Sequence, residues 1–186
     1  MNSLVRGLMI LGVVAVGSAA SARAQMPVSF GIGGGVTIPA GSTSDALKTG
    51  WHGLALVRFK PAASPIGFQI DGMYQRLSFD DALPDGHVQV INGTANAVFS
   101  FPVSEETRFR PYIIGGVGVY NSKAKFDVGP DGEGETDFGF NAGAGFDISF
   151  GGGTFFAEGR FHNVFVSDAD DTKLIPISVG VRFGGN

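Results

Sequence analysis

The sequence predicts an all-β chain that closes into an eight-stranded antiparallel up-and-down transmembrane β-barrel. Three observations predict it. Apolar and small or polar side chains alternate at period 2 in segment after segment, the mark of strands with two chemically distinct faces. Three segments alternate cleanly and five more fit less cleanly, eight in all, each long enough to cross a membrane, which takes about 9–11 residues of tilted strand. The connections between them alternate long and short, as in membrane barrels with short turns at one end and long loops at the other.

Composition narrows the class. Charged residues are 16% of the 186-residue chain, against about 25% in an ordinary soluble domain. Hydrophobic residues at 44% exclude a disordered chain. With no cysteine, a disulfide framework, a Cys-ligated zinc site and a thiol nucleophile are excluded. A formal net charge of −4 argues against a nucleic-acid partner.

Residues 1–24 read as a signal peptide: Arg6 supplies a positive start, Gly7 to Gly17 an apolar stretch, and Ala22-Arg23-Ala24 a cleavage site. Residues 25–186 then form one barrel domain. Without Arg6 and Arg23 this part has 11 basic against 17 acidic side chains.

The first strand, Val28 to Ile38, sets Phe30, Ile32, Val36 and Ile38 against Ser29, Gly31, Gly33, Gly35 and Thr37. Trp51–Lys60, Ile66–Leu77, Val88–Phe101 and Arg108–Tyr120 follow, with Leu54 and Leu56 breaking the alternation of the second. The sixth, within Asp137–Phe150, opposes Phe138, Phe140, Ala142, Ala144, Phe146, Ile148 and Phe150 to Gly139, Asn141, Gly143, Gly145, Asp147 and Ser149. Thr154–Phe165 is the seventh, with Phe156 out of pattern. The last sets Ile175, Ile177, Val179, Val181 and Phe183 against Pro176, Ser178, Gly180 and Arg182. Pro176 lacks a ladder donor, which predicts a bulge or a strand start there.

Alternation alone does not say which face points outward. A soluble lipocalin-like periplasmic carrier would put the apolar face inside and a charged face outside. Here the second face is mostly Gly, Ser, Asn and Thr, unlike a solvated surface rich in Lys and Glu. It suits the crowded interior of a narrow barrel. The bulky apolar face then meets lipid, where every backbone polar group must be bonded within the protein and the sheet must close. Aromatic residues gather near the short turns (Phe59, Phe68, Phe99, Phe101, Phe109, Phe150, Phe155, Phe183) and near the long loops (Trp51, Tyr74, Phe138, Phe165), as two interfacial girdles would.

Inward parity collects charge. Glu158, Arg160 and His162 share a face of the seventh strand, with Arg182, Asp147, Arg110, Asp71 and Arg58 inward from others. Arg108 shares the parity of Arg110. Buried charges must pair, so an interior ion network is expected, centred on Glu158 with Arg160 and Arg182. No pattern calls for a cofactor. Gly31-Ile-Gly-Gly-Gly35 and Gly115-Gly-Val-Gly118 lack the following helix and the Lys-Ser/Thr of a phosphate loop. Asp131-Gly-Glu-Gly-Glu135, in one of three acidic long loops, lacks the 12-residue ligand spacing of a calcium loop.

Four stretches carry a resemblance: Arg110-Pro-Tyr-Ile-Ile-Gly-Gly-Val-Gly-Val-Tyr120, Gly139-Phe-Asn-Ala-Gly-Ala-Gly-Phe146, Phe156-Ala-Glu-Gly-Arg-Phe-His162 and Pro176-Ile-Ser-Val-Gly-Val-Arg-Phe183. In this order the chain resembles the small outer-membrane β-barrel domains of the OmpA transmembrane-domain and OmpX type. The resemblance implies an integral outer-membrane protein without catalysis, with a structural or surface-interaction role. Its partners would be outer-membrane lipid and lipopolysaccharide, with periplasmic chaperones and the outer-membrane insertion machinery during assembly. Phe183 looks like the terminal aromatic of the assembly signal, although Gly184-Gly185-Asn186 follow it. A second likeness, of His162 with Glu158, is to the lipid A deacylases, eight-stranded enzymes with a His-Ser-Glu triad. Here the first hydroxyl after His162 is Ser167, five positions on and of opposite parity, whereas a nucleophile must reach its base.

Overall fold

The computed structural model describes residues 28–61, 64–82, 84–104, 107–166 and 170–185. Eight strands make one sheet: β1 Val28–Ala40, β2 Gly50–Phe59, β3 Ile66–Ser78, β4 Gly86–Ser100, β5 Phe109–Phe126, β6 Glu135–Phe150, β7 Gly153–Phe165 and β8 Thr172–Gly184. Each pairs antiparallel with the next, and β8 returns to β1, with Ile32 opposite Val181 and Phe30 opposite Phe183. Closure leaves no sheet edge, so the ladder satisfies the wall's backbone without water. Among the described residues, no helix is long and apolar enough to cross a membrane, which says nothing of strands.

Faces fall as the alternation predicts. Phe138 and Ile70 are about two-thirds exposed on the outer wall. Phe140 and Ile177 also point outward, while Thr37, Gln75 and His162 are wholly buried. The molecule is therefore apolar outside and polar inside, the inverse of a soluble carrier. Small residues line the lumen where strands or side chains press close. A side chain at Gly143 would run into the Gly159 carbonyl and Arg160, whereas at the outward Gly159 nothing lies within 4 Å.

The breaks in alternation have a purpose inside. Leu54, Leu56, Met73 and Phe156 are buried together as one apolar cluster that joins β2 and β3 to β7 across the lumen. At the long-loop end, Leu47 packs on Leu77 and Leu174. It is placed there by a short 3-10 turn, Gly41–Asp45, and by an isolated bridge from Leu47 to Phe79. The first long loop thus folds into the barrel mouth and stoppers it.

Two details differ from the sequence reading. β5 continues six residues past Tyr120 to Phe126, because Lys123, Ala124 and Lys125 keep pairing with Gln89, Val88 and His87 of β4. Length expected in a loop is spent on hairpin, where pairing satisfies the backbone. Pro176 neither starts β8 nor makes a bulge. The β8 ladder to β1 runs through it, opposite Thr37. The ladder to β7 lapses between Gly159↔Ile177 and His162↔Leu174 and resumes in the same register. A missing N–H removes a bond without inserting a residue.

Candidate functional site

Among the described residues, the lumen gathers the buried polar and charged side chains. Its charged layer is built on Arg160 of β7. Arg160 Nε donates to Glu158 Oε1 at 2.6 Å. Its Nη2 and Nη1 donate across the barrel to the two oxygens of Asp71 on β3, at 3.0 and 3.2 Å. This fork-to-fork geometry is the strongest pairing a guanidinium makes. Asp71 accepts three more bonds, from Thr94 at 2.8 Å and from Gln69 and Asn96 at 3.0 Å each.

Toward the short-turn end, Arg182 Nη2 donates to Asp147 Oδ2 at 2.6 Å and Arg58 Nη1 reaches the same oxygen at 3.3 Å. Arg58 Nη2 lies 3.8 Å from Glu158 Oε2. Its Nε donates to Gln69 Oε1 at 2.8 Å, and its guanidinium sits 4.5 Å over the Tyr112 ring. The Tyr112 hydroxyl donates to Glu158 Oε2 at 2.9 Å. The result is one alternating chain, Arg182–Asp147–Arg58–Glu158–Arg160–Asp71, with three cations against three anions. Balanced charge is what allows six ionised groups to sit in a narrow lumen, where an unpaired one would cost several kcal/mol.

Six of the seven network residues named from parity meet in this chain. Arg110 does not. It is exposed at the first turn of β5, and among the described residues it forms no ion pair. The strand end leaves it in water, and Asp147 opposite already serves two guanidiniums. Arg108 is exposed at the same rim. Arg182 pairs with Asp147 and not with Glu158. Phe183 stands exposed on the outer wall beside Phe30.

Toward the long-loop end lies a neutral layer that sequence reasoning missed. Thr37 Oγ1 donates to Gln75 Oε1 at 2.9 Å, and Gln75 Nε2 donates to Asn92 Oδ1 at 2.9 Å. With its proton committed to Gln75, Thr37 accepts from His52 Nδ1 at 3.0 Å. His52 Nε2 then accepts from the Ser178 hydroxyl at 2.8 Å. The signal was available, since His52 shares the inward parity of Arg58. Its partners on β1, β3 and β8 are set by closure, which parity does not reveal.

His162 and Glu158 are not partners. His162 Nδ1 faces the Tyr120 hydroxyl at 2.9 Å, and its Nε2 has no protein partner among the described residues. Glu158 is held by Arg160 and Tyr112. A serine hydroxyl that does reach a histidine is that of Ser178, on His52, and both side chains are buried. That pair has the spacing of a nucleophile and base, but its third member is a threonine. Among the described residues no cluster of three His, Asp or Glu side chains could hold a metal ion.

Comparison with known proteins agrees with a membrane β-barrel. The model of the outer membrane protein β-barrel domain matches residues 9–183. The chain belongs to that family. Its fold matches neisserial surface protein A (NspA) with a TM-score of 0.68 at 16% identity, over 85% of this chain and 97% of that one. It also matches Ail, the attachment invasion locus protein of Yersinia pestis, solved with the heparin analogue sucrose octasulfate. There the TM-score is 0.51 at 21% identity, over 84% and 96%. At these identities the likeness is one of fold. No curated protein matches the chain in sequence. Family and fold make this an outer-membrane β-barrel protein.

Proposed function

We propose that this outer-membrane protein is non-catalytic and serves envelope integrity or surface contact through its long loops. The observation that carries the reading is the six-membered ion chain, which crosses the lumen between opposite walls. A solute passing through would have to part buried pairs, and breaking one costs about 3–5 kcal/mol. The neutral layer and the Leu47 stopper lie in series with it. General diffusion pores need about 16 strands.

The loops supply the contact surface. Asp81, Asp85, Asp127, Glu133 and Asp170 are exposed there. Ail was solved with a polyanion; this crown of carboxylates repels one, so the partner it fits is cationic. Residues 1–24 lie outside the described residues. Export by a cleaved leader predicts Gln25 as the mature N-terminus, and assembly by chaperones and the insertion machinery uses Phe183 as part of its signal.

Planar-bilayer recording tests the reading. Wild-type protein, folded by the criterion of faster unboiled migration on an SDS gel, should show no steady channel openings. A deletion strain should become detergent-sensitive. Sustained wild-type conductance would overturn the closed lumen. The lipid A deacylase reading is tested by His162→Ala. Lipid A acylation in cells should not change; a change would restore that reading.

A further inference from the structure

The ion chain inside the barrel is balanced, but the mouth at the short-turn end is not. Three cations stand around that mouth on strands spread round the ring: Lys60 just past β2, Arg110 at the start of β5 and Arg182 near the end of β8. Lys60 lies two positions beyond the buried Arg58, so it shares the inward parity, and Arg110 stands opposite the inward Asp147. Among the described residues neither Lys60 nor Arg110 forms an ion pair, because Asp147 is already shared by Arg182 and Arg58. Arg182 spends Nη2 on that carboxylate, and its buried Nη1 has no hydrogen-bond partner among the described residues. Its side chain is only 6% exposed, so a donor is left idle where donors are ordinarily satisfied.

Lys60 is half-buried at the rim. A side chain at Gly67 would meet the Phe59 carbonyl oxygen at 2.7 Å and the Lys60 Cβ at 3.4 Å, so the glycine leaves the lysine stem its place. Burial, and after it the nearby Arg110, hold the Lys60 ammonium below the ordinary lysine range; Asp147 opposes this, and Arg58 and Arg182 add to it. The cations therefore act on one place. An eight-stranded lumen is just wide enough for side chains to fill, which lets groups from β2, β5 and β8 converge on a single ligand. Rings of Lys and Arg at a mouth are how pores select anions, and low-dielectric walls focus their field. Thr154, opposite Ser149 on one side and Arg182 on the other, adds hydroxyl donors at the same level.

We propose that the short-turn mouth binds one phosphate group, held by Lys60 and Arg110 at the rim with Arg182 Nη1 beneath them. The two rim cations are surplus to the ion chain and match a dianion; a carboxylate would leave one of them unmatched. The long-loop end carries the opposite charge, with Asp81, Asp85, Asp127, Glu133 and Asp170 exposed. An anion is therefore repelled at one mouth and held at the other. With the long loops outside, the binding mouth opens to the periplasm.

Isothermal titration calorimetry of the folded protein in detergent tests it. Inorganic phosphate is the probe, acetate the single-charge control and glycerol 3-phosphate a phosphate carried on a larger molecule. Faster unboiled gel migration is checked first in every variant, so that loss of the barrel is seen separately. Wild type should bind phosphate more tightly than acetate, and less tightly as salt rises. Lys60→Gln with Arg110→Gln should weaken phosphate binding about ten-fold or more, as expected when charge-assisted contacts are lost. Neither residue belongs to the ion chain, so the variant keeps the buried pairs. Lys173→Gln, at the long-loop end of β8, should leave binding unchanged. Glycerol 3-phosphate bound as tightly as phosphate assigns the mouth to a carried phosphate, and its exclusion assigns the mouth to the free ion. No phosphate binding by wild type, acetate bound as tightly as phosphate, or unchanged phosphate binding in the double variant would overturn the proposal.

Discussion

Replacing Arg160 by alanine isolates the ion chain. The change leaves Glu158 and Asp71, whose side chains are 2% and 0% exposed, without their shared cation. Breaking a buried pair costs about 3–5 kcal/mol, because the remaining charge stays desolvated. Two carboxylates are stranded here, but neither is bare. Asp71 keeps its bonds from Thr94, Gln69 and Asn96, and Glu158 keeps Tyr112 with Arg58 nearby. The penalty should therefore stay near that single-pair range and not double. Urea unfolding in phospholipid vesicles, followed by tryptophan fluorescence of Trp51, reads the loss as a lower midpoint at constant slope. Neutralising Arg160 together with one anion (Asp71→Asn, Arg160→Met) leaves two cations against two anions and should recover part of it. An unchanged midpoint in Arg160→Ala, or a double variant as unstable as the single one, would refute the reasoning.

The lumen's steric demand can be separated from its wall. Gly143→Val, pressed against the Gly159 carbonyl and Arg160, should abolish the heat-modifiable folded band, whereas Gly159→Val on the open outer face should keep it. Leu77→Ala removes the centre of the mouth cluster and should cost about 2–5 kcal/mol in the same urea assay. In the β5–β6 loop, a hydrogen bond from Lys125 holds the Asp131 carboxyl below its ordinary range. That loop contact is present above the ordinary carboxylate range and is lost as pH falls through the depressed midpoint. Lys125→Gln should move the midpoint, followed by carboxyl NMR, up toward the ordinary value; no movement would refute the pairing.

Much of this molecule is legible along one strand at a time. Strand number and the two faces follow from period 2, because a pleated strand puts successive side chains on opposite faces whatever its neighbours do; the outward direction of Phe140 and Ile177 follows from an opposite face of Gly, Ser, Asn and Thr, and the antiparallel order from the alternating long and short connections. The same parity brings Asp71, Asp147, Glu158 and three arginines inside. It also places Arg110 there, and misses that a strand end opens to water. Pro176 shows the same limit, since a local rule about donors does not say whether the ladder on the other side carries the strand through.

What the sequence by itself determined is therefore the wall: eight crossings, their faces and a charged interior. Only the tertiary structure decided the pairings inside it. Asp71 and Arg160 are 89 positions apart in the chain, and His52 and Ser178 are 126 apart. They meet because β8 closes onto β1 in one register, and that register sets which inward side chains share a level. Alternation is a property of each strand, but which side chains become partners across the lumen is a property of the closed ring.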